Sequence, residues 1–308
     1  MLICLSFIGT LPSYIVESIH QLRLYYKNDI YLITNDLESV YLKKIENFNV
    51  NIIDYQHVIS DNFLTVVQNN KEKFCYIPRL VGREELFLRS FERFFLLNNL
   101  LKQLNRGDCF FIELDNLIYD DPHKWIEQFS KHDLCYMYDN ENRFSSGIMY
   151  VKSAESIEGF LQYCIDFINK SEGASNHFMV EMVALSNYYD LNKDKVGILP
   201  TYWNSEGVPS ITYSNYDKYN DTIFDSLAIG CKLLGLDTIH TNGQIVTNLK
   251  AWWCAIDYTG QKTEWQTDEQ GLKKPYIWNG EKWLLINNLH VHSKDLKNGL
   301  SKDMDINI

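Results

Sequence analysis

Glu113 and Asp115 stand two residues apart in 107–122, GDCFFIELDNLIYDDP, where an apolar run gives way to carboxylates. A short apolar run bounded by Gly107 and by Asp121-Pro122 predicts a buried central strand. Side chains alternate along a strand, so both carboxylates are expected on one side of its carboxyl end. That end is where open α/β sheets bind ligands. Two carboxylates placed together there repel and raise a pKa unless a cation lies between them. A divalent metal carrying a diphosphate is an economical reason to keep both. The ordinary alternative is that such carboxylates cap a following helix. Asp121 ahead of Pro122 fits that alternative as N-cap and first-turn proline of DPHKWIEQFS, and it is given no chemical role.

Other candidates lie far from this segment in the chain. His290 and His292 in NNLHVHSKDL are expected on one strand face, a spacing that suits a metal, and Ser293-Lys294 beyond them could bind a phosphate. Solvated histidines on an edge strand are the alternative. Arg89 and Arg93 are four apart on a long helical segment. They either pair with Glu85 and Glu92 at the surface or point a cation at a phosphate or at the carboxylates. Glu181, flanked by Met179, Val180, Met182 and Val183, is either a paired structural carboxylate or a working acid/base. Gly9, Thr10, Asn35 and Asp36 follow apolar runs, where they could approach a nucleotide or simply form turns. Ser145, Ser146 and Gly147, at the entry of a strand, allow close backbone approach to a ligand.

These residues must be positioned by an alternating series of elements. Ile3 to Ile8 predicts a strand, followed by a glycine turn and a helix with Ile15, Ile19, Leu22 and Tyr26 on one stripe. NDIYLITND, LESVYLKKIENF and VNIIDY continue as strand, helix and strand, which predicts a parallel sheet with right-handed crossovers. No GxGxxG follows the first strand, which argues against a classical dinucleotide site. Residues 55 to 83 are Asn- and Lys-rich and are expected to form a loop. REELFLRSFERFFLLNNLLKQLN is the longest helix, and it leads into the acidic strand. HDLCYMYD and FSSGIMYVKS predict two more strands about a polar turn, and SIEGFLQYCIDFI and SNHFMVEMVALSNYYD two helices. GILPTYW predicts a short strand, IFDSLAIGCKLLG a helix ending at Gly235, AWWCAIDYTG an apolar stretch, and the last segment a hairpin turned at Asn279-Gly280.

The whole chain sets outer bounds. Its 308 residues can bury a substantial core. With 45% hydrophobic and 22% charged residues it has the composition of a globular protein. A net charge of -11 argues against a nucleic-acid binder, which needs a basic surface. The seven cysteines are scattered with no pair at metal-ligand spacing, as expected of small apolar core residues in a reducing compartment. Residues 1–8 are too short to span a membrane and lack the basic start of a signal peptide, so a cytoplasmic location is expected.

Taken together, ERFFLLNNLL, FIELDNLIYDD, SSGIMYVKS, HFMVEMVALSNY and NNLHVHSKDL, in that order, resemble the GT-A class of nucleotide-sugar glycosyltransferases. FIELDNLIYDD stands where that class has its Asp-x-Asp motif, with Glu113 in place of the first aspartate. The likeness extends to a branch found in large DNA viruses and some bacteria. It implies an α/β, Rossmann-like, mostly parallel central sheet flanked by helices, with a C-terminal hairpin. It implies one domain over 1–308, with a nucleotide-binding half (1–121) and an acceptor-binding half carrying a late metal-binding segment (122–308). It places Asp115 on the metal, with Glu113 a nearer-sugar or water-mediated contact, and completes the shell with His292, His290 being the competing choice. Mn²⁺ (or Mg²⁺) is the implied cofactor. Gly9, Thr10, Asn35, Arg93, Glu113, Ser146 and Lys294 would meet the nucleotide-sugar. Glu181 would deprotonate an acceptor hydroxyl in an inverting enzyme or orient it in a retaining one. The implied reaction is hexosyl or pentosyl transfer from a UDP- or GDP-sugar to a glycan or glycoprotein, in the host cytoplasm if the protein is viral. A metal-dependent phosphohydrolase and a non-catalytic sugar- or nucleotide-binding module are the competing functions. The module would use Trp252, Trp253, Trp265 and Trp278 for sugar stacking, although these tryptophans equally suit core and hairpin packing.

Overall fold

Strand β1 (Leu2–Phe7) sends Leu2 and Cys4 to one side and Ile3 and Leu5 to the other, all buried. Burial on both faces requires cover on both faces, as in a parallel sheet wrapped by helices. The two sets belong to two separate apolar clusters, one on each side of the sheet. The computed structural model describes residues 1–70, 85–170, 181–236 and 254–304. Helix α1 (Ile15–Tyr25), strand β2 (Ile30–Thr34), helix α2 (Val40–Ile45) and strand β3 (Val50–Asp54) follow β1 in the expected alternation. Helix α3 (Asp61–Asn69) and the long helix α4 (Leu86–Leu104) then lead to strands β4 (Cys109–Ile112) and β5 (Asn116–Ile118).

A short 3-10 turn and helix α5 (Ile126–Phe129) separate these from strands β6 (Leu134–Asn140) and β7 (Arg143–Val151). Helices α6 (Ala154–Lys170) and α7 (Glu181–Leu191) precede strand β8 (Val196–Leu199). Strand β9 (Thr222–Ile223), helix α8 (Ala228–Leu234) and strands β10 (Thr263–Thr267), β11 (Lys273–Trp278), β12 (Trp283–Ile286) and β13 (Asn288–His290) complete the chain.

The central sheet has seven strands in the order β3-β2-β1-β4-β7-β6-β8. Only β7 runs against its neighbours, so the sheet is mostly parallel. Helices α4, α6 and α7 pack one face through Phe91, Phe94, Phe160 and Leu185, and α1 packs the other through Ile15 and Ile19. A smaller sheet, β10-β11-β12-β9, contains the expected hairpin at Asn279-Gly280, where Trp278 pairs with Trp283. The third sheet is the antiparallel pair β13-β5.

Several sequence expectations change. The stretch expected to be a loop from residue 55 holds helix α3, whose Ser60 accepts a hydrogen bond from the Phe63 N–H while Phe63 and Val66 are buried. Its polar composition conceals a two-residue apolar stripe; residues 71–83 of that stretch lie outside the described residues. The acidic strand ends at Ile112, so Glu113 and Asp115 occupy a turn, closed by Asn116 N–H donating to the Glu113 carbonyl at 2.9 Å. His290 ends strand β13, and His292 lies beyond it, where the expectation had both on one strand face. Asp121 caps as expected, accepting from His123 N–H at 2.9 Å, but the segment after it forms a 3-10 turn running into a single α turn. The expected start of α7 before Glu181, and Trp252 and Trp253 of the apolar stretch, lie outside the described residues. Among the described residues no helix is long and apolar enough to cross a membrane.

Helix α8 is held against β13 so closely that a Cβ on Gly230 would lie 2.1 Å from the His290 carbonyl oxygen and 2.9 Å from Asp225 Oδ2. The neighbour is backbone and cannot swing aside. Gly230→Ala is therefore expected to cost roughly 1–3 kcal/mol as an overpacking substitution. Gly260→Ala, with no heavy atom within 4 Å of the added carbon, should stay within about 0.5 kcal/mol of wild type. Denaturant unfolding of the two variants checks the difference.

Candidate active site

Parallel strands β1, β2 and β4 all finish on one edge of the sheet, and the candidate residues collect there. At the end of β4 the Glu113 N–H still donates to the Gly147 carbonyl of β7 at 2.8 Å. The chain then turns through Leu114 and Asp115 into β5, which pairs with β13 so that Asn116 faces His290. One residue further on, the Val291 N–H donates to the Asp115 carbonyl at 2.7 Å. This ladder brings Glu113, Asp115 and His290 together, with one potential ligand atom from each lying within 4.8 Å of the others. His290 Nε2 is 3.5 Å from Glu113 Oε2 and 3.5 Å from Asp115 Oδ2. His290 Nδ1 lies on the other side of the ring, 3.3 Å from the Ser226 carbonyl oxygen. The His292 ring is tilted against the His290 ring with centroids 5.0 Å apart.

Two cations meet the carboxylates. Lys294, in a left-handed backbone conformation (φ 61°), donates its ammonium to Asp115 Oδ2. Arg93, on α4, donates Nη1 to Glu113 Oε1, and Nη2 to Ser146 Oγ at 2.8 Å and Glu181 Oε1 at 3.2 Å. Its guanidinium lies 5.1 Å from the Phe94 ring centroid and 5.5 Å from that of Phe111, so it sits in an apolar seat. Burial lowers the Arg93 pKa against the pull of Glu181 and Asp115, but an arginine stays charged in this setting. Burial alone would raise the Asp115 pKa; Lys294 and His290 outweigh it and hold this carboxyl well below the usual carboxylate range.

The other sequence candidates fall into two groups. Ser146 and Glu181 join the same cluster through Arg93. Gly9, Thr10 and Asn35 form a separate cluster on the same sheet edge. Asn35 Oδ1 accepts from Gly9 N–H, and Asp36 Oδ2 from Leu11 N–H, both at 2.8 Å. Gly9 has φ 125°, a conformation that favours glycine, and Thr10 is exposed. Arg89 pairs with Glu85 and Glu92 as its first alternative had it, but Glu92 is buried rather than on a solvated surface.

Several residues of the site were not singled out by their types. Asn116 and Asn288 join side chains at 2.9 Å, and buried Asp225 accepts the His290 N–H at 3.0 Å. Tyr14 lies near enough that its phenol is raised by burial and then by the Asp115 charge. A Cβ on Gly147 would come within 2.9 Å of Asn116 Nδ2, 3.3 Å of His290 Nδ1 and 3.4 Å of Glu113 Oε2, which gives that glycine a packing reason. Asp225 was expected inside the helix IFDSLAIGCKLLG, but Thr222–Ile223 is strand β9 and the helix starts at Ala228, which leaves Asp225 ahead of it.

Comparison with known proteins adds the following. No family model matches the chain. No curated protein matches it. Solved structures with a similar fold include mouse xyloside xylosyltransferase 1, at 12% identity and TM-score 0.47, covering 66% of this chain and 86% of that one. They also include the glycosyltransferase GlyE of Streptococcus pneumoniae, at 15% identity and TM-score 0.42, covering 64% of this chain. The match spans only 45% of the GlyE chain. The galactosyltransferase LgtC, in complex with donor and acceptor sugar analogs, matches at 8% identity and TM-score 0.43, covering 65% of this chain and 74% of that one. With TM-scores below 0.5, function has to be read from the side chains.

Asp139 is buried on β6. Burial pushes its carboxyl up to about 6 against the opposing pull of Arg143, whose Nη2 is 2.6 Å away. A carboxyl with a folded pKa above its unfolded value favours the folded state most at low pH. That contribution is lost as pH rises through about 6. Between roughly pH 4.5 and 7, wild type should lose about 2 kcal/mol of stability relative to Asp139→Asn. Parallel denaturant titrations at the two pH values measure this.

Proposed function

We propose that this protein is a metal-dependent glycosyltransferase of the GT-A type, moving a sugar from a UDP- or GDP-sugar onto a hydroxyl of a glycan or glycoprotein. The observation that carries the reading is the Glu113, Asp115 and His290 group, flanked by Arg93 and Lys294, at the carboxyl edge of a mostly parallel sheet. Two carboxylates and one imidazole make a donor set that fits Mn²⁺ or Mg²⁺, the nitrogen favouring Mn²⁺. The imidazole is assigned to His290 over His292, because His290 Nε2 faces both carboxylates. A bound divalent cation would supply Lewis-acid charge to a departing diphosphate.

The chain's own groups would do the rest. Lys294 reaches the site on a flexible stem and would donate its ammonium to leaving-group oxygens beside Asp115. Arg93 binds Glu113 through Nη1 and Glu181 through Nη2, and would so tie the donor-side and acceptor-side carboxylates to one guanidinium. Ser146, on the same guanidinium, would meet the sugar. Glu181 would take the acceptor proton if configuration inverts, or orient the acceptor if it is retained. The Gly9–Thr10 turn, held by Asn35, would carry the nucleotide.

Asp115→Asn and His290→Ala are expected to lower sugar transfer on the order of 100-fold or more. Both should abolish the Mn²⁺-dependent rise in melting temperature with UDP or GDP. In wild type that stabilisation amounts to about 2.7 kcal/mol at ligand 100-fold above Kd. His292→Ala should keep it. Inorganic phosphate or sugar phosphate released by cleavage at phosphorus, with no sugar transfer, would identify a phosphohydrolase, and stabilisation without turnover a binding module.

A further inference from the structure

Asp225 is 1% exposed, and its side chain accepts four backbone N–H groups. Oδ1 takes Leu227 and Ile229, both at 2.9 Å. Oδ2 takes Gly230 at 2.7 Å and His290 at 3.0 Å. The first three belong to the start of α8, whose N-cap residue Leu227 makes no side-chain bond, so Asp225 serves that helix end from two positions further back. The fourth does not: it comes from the strand that carries the imidazole. One carboxylate therefore clamps α8 and β13 to each other at the residue that faces Glu113 and Asp115.

The Asp225 backbone is held just as firmly. Its N–H donates to Asn288 Oδ1 at 3.0 Å, and its carbonyl accepts from Asn288 Nδ2 at 2.9 Å. That same amide donates to Asn116 Oδ1, the residue after Asp115. Between Asp225, fixed by Asn288, and Leu227, fixed by Asp225 Oδ1, the Ser226 peptide has little freedom to turn. Its carbonyl is the group that meets His290 Nδ1 at 3.3 Å. A carbonyl oxygen only accepts, so this contact requires the hydrogen on Nδ1. Nε2 is on the side of the two carboxylates, so a divalent cation held between them would meet its lone pair. Metal-bound histidines are oriented in this way by a partner on the second ring nitrogen.

We propose that Asp225 is a positioning residue: by fixing the His290 main chain and the Ser226 carbonyl, it sets His290 as an Nδ1–H imidazole that offers Nε2 to a divalent cation. The proposal rests on the metal-binding reading above, and its two measurements separate the failure of one from the failure of the other.

The first measurement is made with diamagnetic Mg²⁺ present. In protein carrying ¹⁵N-histidine, long-range ¹H–¹⁵N spectra recorded where imidazoles are neutral report which ring nitrogen holds the hydrogen. His290 is assigned among the eight histidines by the signal missing from His290→Gln. Wild type should show a hydrogen on Nδ1, and a pyridine-type Nε2 once the cation is bound; an Nδ1 without a hydrogen overturns the proposal whether or not any variant folds. Asp225→Asn should give a mixture of the two tautomers. A cap that served only α8 would leave the tautomer unchanged.

The second measurement is Mn²⁺ affinity by calorimetry on wild type, Asp225→Asn, His290→Ala and the double variant, without nucleotide. Asp225→Asn is expected to weaken Mn²⁺ binding 10- to 100-fold. In the His290→Ala background the same change should have little effect, because its route to the metal is gone. Folded Asp225→Asn protein with unchanged tautomer and Mn²⁺ affinity within about twofold of wild type overturns the proposal. If wild type binds no Mn²⁺ while the Nδ1–H tautomer is present and depends on Asp225, the metal reading falls and the positioning role stands.

Discussion

Asn116 and Asn288 are 172 positions apart in the chain, yet their side chains meet at 2.9 Å inside the ladder between β5 and β13. That ladder is only three residue pairs long, and the site depends on it. It sets Asn116 opposite His290, and so places the imidazole beside the two carboxylates of the preceding turn. The Val291 N–H on the Asp115 carbonyl extends the pairing by one hydrogen bond, so Asp115 and His290 are both located by main-chain contacts. Asn287 and Asn288 are fully buried, and Leu117 and Leu289 beside them belong to the third apolar cluster, which shields the ladder from water. A group placed by backbone hydrogen bonds in a dry setting keeps its geometry better than one placed by loop side chains.

Charge sets what the cluster can accept. Glu113, Asp115 and Glu181 bring three negative charges, and Arg93 and Lys294 bring two positive ones. One negative charge is left over. A divalent cation would reverse that to a single positive charge, which suits an anionic diphosphate far better than the surface of a chain with net charge -11. Arg93 is the sensitive member. It is seated between Phe94 and Phe111 and serves two carboxylates, so its removal would leave Glu113 and Glu181 poorly compensated where water is scarce. Such an uncompensated buried charge costs more than the ion pair itself contributes.

Much of the frame was legible in the sequence because its signals are local. Apolar runs of four to six residues alternate with amphipathic segments, and β1, β2, β3 and β4 fall where those runs are. Arg93, Glu113, Asp115 and His290 were also legible as residue types able to do chemistry. The exact disposition of the carboxylates was not. Alternation along a strand gave the same side for Glu113 and Asp115, but the strand stops at Ile112, and a turn brings the pair together. Periodicity carries no information about where a strand loses its partner. For the same reason β13 stops at His290: its partner β5 is short, and residues beyond it turn back toward Asp115. Asp225 and Asn288 were hidden more deeply, since an aspartate near the start of a helix and an asparagine in a strand have common local explanations. Their meeting with His290 depends on contacts 63 to 65 residues away.

Lys294 shows how local strain and charge are balanced at this edge. Its φ of 61° lies in the left-handed region, where a side chain with a Cβ costs of order 1–3 kcal/mol. The turn is closed by the Lys294 N–H donating to the Val291 carbonyl at 3.1 Å, immediately after Val291 has itself donated to Asp115. Chain reversal at this point is therefore dictated by the end of the ladder. A glycine would satisfy the backbone at lower cost. It would also remove the ammonium from Asp115, whose buried carboxyl is kept ionised by Lys294 before any other group. In a site with more carboxylates than cations, losing that charge would outweigh the gain in backbone freedom. Strain at residue 294 and low pKa at residue 115 are two sides of one arrangement.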